Sequence, residues 1–177
     1  ALDIGRLNMA EFAFGPTGHN IHYGDCCNPW DQSRITGGSS SGSGASVAAG
    51  AVWGALGSDT GGSVRLPAAV CGVIGIKPTQ TRVSRYGVMG LSFSLDNVGP
   101  LARTVSDAAR LLAVIAGPDP RDPTGAAHPI SDYERAARDG TAAGIRGLRI
   151  GVAASYYGND LAPEVQDCWE QGASRFA

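Results

Sequence analysis

The most regular alternation of apolar and polar positions lies between Thr104 and Ala116. Val105, Ala108, Ala109, Leu112, Ile115 and Ala116 recur at the spacing of one helix face. Thr104 stands in front of that stripe as an N-cap, with Asp107 three residues on, and Gly117 followed by Pro118 and Pro120 predicts its end. Elsewhere small residues set the pattern. Ser43 to Gly50 predicts a buried helix whose small side chains let neighbouring backbones come close. Ala51 to Gly57 is apolar and reads as a buried strand, although periodicity alone also allows more helix. A loop over Gly57–Ser63 then leads into a short helix across Val64–Cys71.

The remaining chain is less regular. Residues 1–36 read as loops with a short helix around Asn8–Ala13, capped by Asn8 with Glu11 three residues on. Gly117 to Pro129 holds four of the ten prolines, which predicts a surface loop. Leu148–Ala153 is a strand candidate, and Pro163 suits the first position of a last helix within 162–177. Together these elements predict an α/β domain without internal repeats.

Composition narrows the function classes. A chain of 177 residues with 43% hydrophobic and 17% charged residues is long and apolar enough for one folded domain. A net charge of -2 gives no reason to expect nucleic acid or an acidic membrane as partner. No apolar run approaches the roughly 20 residues of a membrane span, and the first residues lack the pattern of a signal peptide. Cys26, Cys27, Cys71 and Cys168 form no staple pattern and read as reduced thiols of a cytoplasmic protein. Neither common nucleotide-binding fingerprint occurs.

The chemistry concentrates between two glycine-flanked serines, Ser39 and Ser63, 24 positions apart. Around Asp59-Thr60-Gly61-Gly62-Ser63 the glycines let successive amides turn inward as an anion cradle. A hydroxyl at the end of such a cradle combines a nucleophile with donors for an oxyanion. The plain alternatives are a turn with a helix cap at Ser63 and a flexible Gly/Ser linker over Gly37–Gly44. Gly38-Ser39-Ser40-Ser41-Gly42 also fits a nucleophile elbow with Ser40 and a downstream His128, but residues 31–36 are too polar for the buried strand an elbow follows. His19, His22, Cys26 and Cys27 could gather round zinc, at a spacing that matches no usual finger.

The runs Gly37-Gly38-Ser39-Ser40-Ser41-Gly42-Ser43, Gly57–Ala68 and Gly75-Ile76-Lys77-Pro78-Thr79 together resemble the amidase signature family of serine hydrolases. The resemblance covers essentially the whole chain, residues 8–116 most closely. It implies that residues 1–177 are part of a single amidase-signature domain, a mixed β-sheet core covered by helices. It further implies a Ser–cis-Ser–Lys triad, with Ser63 as nucleophile and Ser39, after a cis peptide, as proton relay. By the same resemblance the amides of Thr60, Gly61, Gly62 and Ser63 form the oxyanion hole, with Asp59 and Arg65 in support. The chain has one lysine, Lys77, in a separate family motif, so it is assigned a structural role, as is Asp96.

The family's catalytic lysine is expected upstream of Ala1, which makes this chain an internal piece that by itself hydrolyses no amide. The implied reaction converts a carboxamide to a carboxylic acid and ammonia, with no metal and no organic cofactor. The implied partners are a small-molecule amide and, as the family allows, a second copy or partner subunits. Gly90–Asp96 looks more like the stand-alone hydrolases. The other readings are the glutamine-hydrolysing subunit of a tRNA-dependent amidotransferase and an inactive remnant.

Overall fold

The computed structural model describes residues 2–144, 147–152 and 161–176. Its elements run β1 (Cys27–Asn28), β2 (Asp31–Ile35), α1 (Ser41–Ala48), β3 (Gly54–Asp59), α2 (Arg65–Cys71), β4 (Ile74–Gly75), β5 (Asn97–Ala102), α3 (Val105–Ile115), α4 (Tyr133–Ala143) and α5 (Pro163–Ser174). Residues divide into two compact units, Ala1–Arg138 and Asp139–Ala177. Strands and helices alternate through the first unit in an α/β arrangement. None of the described helices is long and apolar enough to cross a membrane.

The first unit is organised on β5, the middle strand of an antiparallel sheet ordered β3–β5–β4. The β3–β5 register pairs Gly54 with Ala102 and Asp59 with Asn97, so β3 ends level with the start of β5. Pro100 sits in this central strand, where a missing N–H usually costs a ladder bond; its carbonyl accepts from the Ile76 amide at 3.0 Å. Gly99 has a steric reason, since a Cβ there would lie 2.0 Å from the Ile76 carbonyl oxygen. Val47, Ala55, Val64, Ala68 and Leu101 form one buried cluster, with Val52 and Val73 against it. This cluster locks α1, β3, α2 and β5 together, and truncating its centre, Leu101, is expected to cost about 2–5 kcal/mol. A second cluster of Val83, Leu112 and Ala116 takes the inner face of α3.

The helix at Thr104–Ala116 forms as its pattern predicts. Thr104 is the N-cap and its side chain accepts from the Asp107 amide. Helices α2 and α5 also fall where expected. Helix α1 starts at Ser41, two residues ahead of the predicted position.

Four expectations need correction. The strand predicted at Ala51–Gly57 is displaced: it begins at Gly54 and continues through Ser58 and Asp59, and only Ala55 and Asp59 are buried. Residues 51–53 instead make a bend after α1, with Trp53 81% exposed beneath the Arg103 guanidinium. Pairing with β5 extends the strand into residues that sequence pattern alone assigns to a loop.

Asn8 caps no helix. Its Nδ2 donates to the Gly24 carbonyl, its own carbonyl accepts from Gly42 N at 2.8 Å, and Ala10 N donates to Ser39 O. These bonds claim the 8–10 backbone, which leaves only a 3-10 turn over Glu11–Ala13 with positive φ at Phe12 and Ala13.

At the predicted strand 148–153, residues 148–152 are not in a strand, and Ala153 lies outside the described residues. Among the described residues no strand pairs with them, and a strand needs a ladder partner for its backbone groups. Finally, residues 31–35, read with the rest of 1–36 as loop, form a strand, and it is exposed throughout, so no buried strand precedes the Ser40 run. This strand is the exposed arm of the β1–β2 hairpin, held by its turn and by Asn28, whose side chain donates to Ile35 O and Val70 O.

Candidate active site

The two serine motifs meet where β3 runs out and α2 begins. Ser40 N donates to the Ser63 carbonyl at 3.3 Å. The Ser40 hydroxyl makes two further bonds across the same gap, accepting from Ser58 N at 3.2 Å and donating to Ser58 O at 3.3 Å. A Cβ on Gly57 would lie 2.6 Å from that hydroxyl, so glycine is what admits the bridge. Ser43 adds a bond from its hydroxyl to Leu56 O at 2.7 Å. The start of α1 is therefore stitched to β3 along its length.

Within this seam Ser39 is fully buried and its hydroxyl has no hydrogen-bond partner among the described residues. The Gly38–Ser39 peptide is cis. Ser63 is half-buried. The segment 8–10 backs the Ser39 loop through the two main-chain bonds given above. Asn20, itself buried, holds that segment in turn by donating to Met9 O while accepting from His22 N and Tyr23 N.

The Thr60–Ser63 loop hangs between two carboxylates. On one side Asp59, with a fully buried side chain, accepts from Val64 N at 3.1 Å, Arg65 N at 3.3 Å, and Arg65 Nε and Nη2 at 3.0 and 2.9 Å. Burial is the largest single influence on this carboxyl and pushes its pKa up. The bonds from Arg65 and the two amides, with the guanidinium charge, together outweigh it and hold the group below its ordinary 3.8. On the other side the Thr60 hydroxyl donates to Asp96, which also accepts from Leu91 N and Ser92 N. Burial again pushes Asp96 up most strongly, and the Thr60, Leu91 and Ser92 bonds with the Arg85 charge leave it below 3.8. Between these anchors the amides of Gly61, Gly62 and Ser63 donate to no acceptor among the described residues. A row of free amides can meet an anion.

The rival groupings come apart. The Ser40 hydroxyl is occupied by the Ser58 backbone, while His128 lines a separate cavity of about 500 Å³ with Thr79, Arg82 and Ser131. His19 pairs with Asp25 at 2.8 Å and His22 with Glu11 at 3.2 Å. Among the described residues no three His, Cys, Asp or Glu side chains gather as a metal site. Lys77 spends its ammonium on the Pro78 carbonyl at 2.8 Å. Burial pushes the Cys71 thiol up to about 11. Sequence reasoning did not anticipate the bracing by Ser40, the Asn20 clamp or the Thr60–Asp96 bond. For the last, the sequence offers only the structural role assigned to Asp96.

Comparison with known proteins shows the family. The amidase family model matches residues 1–175. A glutamyl-tRNA(Gln) amidotransferase subunit of Anaeromyxobacter sp. (strain K) is 55% identical over 94% of this chain and 33% of its own length. Its counterpart in Oleidesulfovibrio alaskensis is 49% identical over 99% of this chain and 36% of its own length. The chain thus spans about a third of the length of these curated relatives. Among solved structures, the same subunit from Thermotoga maritima superimposes with a TM-score of 0.87 at 41% identity, covering 97% of this chain and 37% of its own. A bacterial aryl acylamidase of the amidase signature family gives 0.82 at 34% identity, over 95% of this chain and 34% of its own. With the family model matched over residues 1–175 and the two serine motifs folded against one another, this chain belongs to the amidase family.

Proposed function

We propose that the protein carrying this chain hydrolyses a carboxamide through a serine acyl-enzyme, and that the amide is glutamine within a tRNA-dependent amidotransferase. The observation that carries the chemistry is the Ser40–Ser63 backbone bond, which seats the Ser39 loop against a nucleophile flanked by free amides. The glutamine reading rests on relatives about 50% identical that are named for that amidotransferase. The sequence preference for a stand-alone hydrolase rested on Gly90–Asp96. That segment folds around the Asp96 carboxylate, so it bears on the shape of the Thr60 loop rather than on the destination of the ammonia.

In the proposed cycle Ser63 Oγ attacks the amide carbon and its proton passes to Ser39 Oγ. A hydroxyl alone is too weak a base, so Ser39 hands its own proton on; by family resemblance the acceptor is a lysine outside residues 1–177. The carbonyl oxygen becomes an oxyanion facing the amides of Thr60, Gly61, Gly62 and Ser63, and the loss of one such donor typically costs roughly 3–4 kcal/mol. As the C–N bond breaks, Ser39 returns a proton to the leaving nitrogen and ammonia departs. Water then attacks the Ser63 ester, its proton leaves by the same relay, and carboxylic acid and free Ser63 result. Asp59 and Arg65 hold the loop and exchange no proton.

The test is ammonia release from glutamine by the intact polypeptide, alone and with its partner subunits, ATP and glutamyl-tRNA. Glutaminase activity that rises with the partners and vanishes in Ser63→Ala supports the reading. Turnover of simple carboxamides with no glutaminase activity replaces it with the stand-alone amidase, the reading that the aryl acylamidase neighbour favours.

A further inference from the structure

We propose that Asp96 is a positioning residue of the acyl-transfer site, acting through the Thr60 hydroxyl to fix the front of the oxyanion loop. The inference rests on the serine acyl-enzyme reading above. Its basis is the juxtaposition of two groups 36 positions apart. Because β3 and β5 pair Asp59 with Asn97, the residues one step beyond each strand, Thr60 and Asp96, fall opposite one another. The bond between them closes the open end of the ladder.

Asp96 is built as an anchor. It is 7% exposed, both of its oxygens accept from Ser92 N, and one also accepts from Leu91 N at 2.8 Å. Arg85 straps the same turn from outside through the carbonyls of Phe93 and Asp96. The Thr60 hydroxyl donates its proton into this carboxylate, so the side chain has no proton left for a substrate, and Thr60 contributes its main-chain N–H alone. Asp59 fixes the other end of the loop through Val64 N and Arg65 N. Between the anchors lie Gly61 and Gly62, which have no side chains to hold them and the widest backbone freedom of any residue. The aim of their amides therefore depends on both ends.

Two effects of the Asp96 charge oppose each other, and their sum has a readable sign. As a field, a carboxylate near a developing oxyanion raises the barrier, so neutralising it would speed the reaction. As an anchor, it lowers the barrier by preorganising the donors. Three donors and the nearby Arg85 offset the field, whereas no other described group bonds the Thr60 hydroxyl, so anchoring dominates.

The experiment compares Thr60→Val, Thr60→Ser, Asp96→Asn and the Thr60→Val/Asp96→Asn pair in the intact polypeptide. The readouts are kcat and KM for glutamine and the rate of covalent labelling by a fluorophosphonate. Thr60→Val, which keeps the shape and loses the hydroxyl, is expected to lower kcat and labelling roughly 10- to 100-fold, with KM within about twofold. Thr60→Ser restores the hydroxyl and stays within about threefold of wild type. Asp96→Asn falls with Thr60→Val, and the pair is no worse than its worse member within about twofold, as expected for one shared contact.

The inference is overturned if Thr60→Val stays within threefold of wild type, if Thr60→Ser is as impaired as Thr60→Val, or if Asp96→Asn raises kcat. Ser63→Ala separates the two levels. If it abolishes labelling while the Thr60 variants are normal, only the role of Asp96 falls; if it leaves labelling intact, the acyl-enzyme reading falls and this inference with it.

Discussion

Replacing Asp59 by Asn should loosen the Thr60–Ser63 loop without disturbing the rest of the fold, and the size of the effect follows from its four bonds. Asn can keep its single carbonyl toward Val64 N and Arg65 N and turn its NH2 toward Arg65. That arrangement sacrifices the guanidinium contact, which costs little because the Arg65 side chain is 52% exposed and can turn to water. What remains is the lost charge on the acceptor of two backbone amides. Charge-assisted bonds are worth about 1.5–3 kcal/mol against about 0.5–1.5 for neutral ones, so the loss is about 1 kcal/mol per amide, with a smaller part from Arg65 Nε. The total is about 2–3 kcal/mol.

Amide hydrogen exchange resolved at Val64 and Arg65, the two amides that donate to Asp59, measures this directly. Exchange should accelerate roughly 30- to 150-fold at pH 7 in the variant, while peptides from α3 are unchanged. The pH dependence has a definite sign. The folded-state pKa of Asp59 is depressed, so its contribution is fully present above the ordinary value of 3.8 and is lost as the pH falls through the folded value. The gap between wild type and variant must therefore close below pH 3.8. An acceleration under about threefold, or a gap that stays constant down to low pH, refutes the reasoning.

Three further outcomes are expected. Gly42→Ala places a Cβ 2.5 Å from Asn8 N and 2.7 Å from Asn8 O, both backbone atoms, so it should cost at least about 2 kcal/mol and lower the melting temperature; an unchanged midpoint refutes the tight packing. Iodoacetamide at pH ~8 should modify exposed Cys27 well before Cys71, which is buried and titrates at about 11; equal peptide labelling refutes this. Thr104→Ala removes the cap of α3 and should cost about 1 kcal/mol in denaturant unfolding, with a loss below about 0.3 kcal/mol counting against the cap.

Elements whose signals are local are legible in the sequence. The α3 stripe, its Thr104 cap and its Gly117 stop act within a few residues of one another, so their chemistry is complete in a short window. The same holds for Pro163 at the start of α5 and for the proline-rich loop after α3. Elements that exist only through a partner are not legible in this way. Strand β5 carries Gly99 and Pro100 and reads as a poor strand, yet it is the centre of the sheet because β3 and β4 supply its ladder. Asn8 misleads for the same reason: its carbonyl belongs to Gly42, and the Ala10 amide to Ser39, both far along the chain.

Residue identity alone fixes the chemistry on offer: two serines in glycine-rich runs, a Gly-Gly pair before the second, and an Asp and Arg on either side. Glycine freedom and hydroxyl reactivity are properties of the residues themselves, so they hold whatever the fold. Which groups meet is a tertiary outcome. The fold sets Ser40 on Ser58 and Ser63, gives Asp59 two amides besides its arginine, and brings Asp96 to Thr60. The small side chains that let α1 close on β3 are legible in a short stretch, but the meetings themselves depend on the β3–β5 register, a long-range packing outcome that no short stretch of chain encodes.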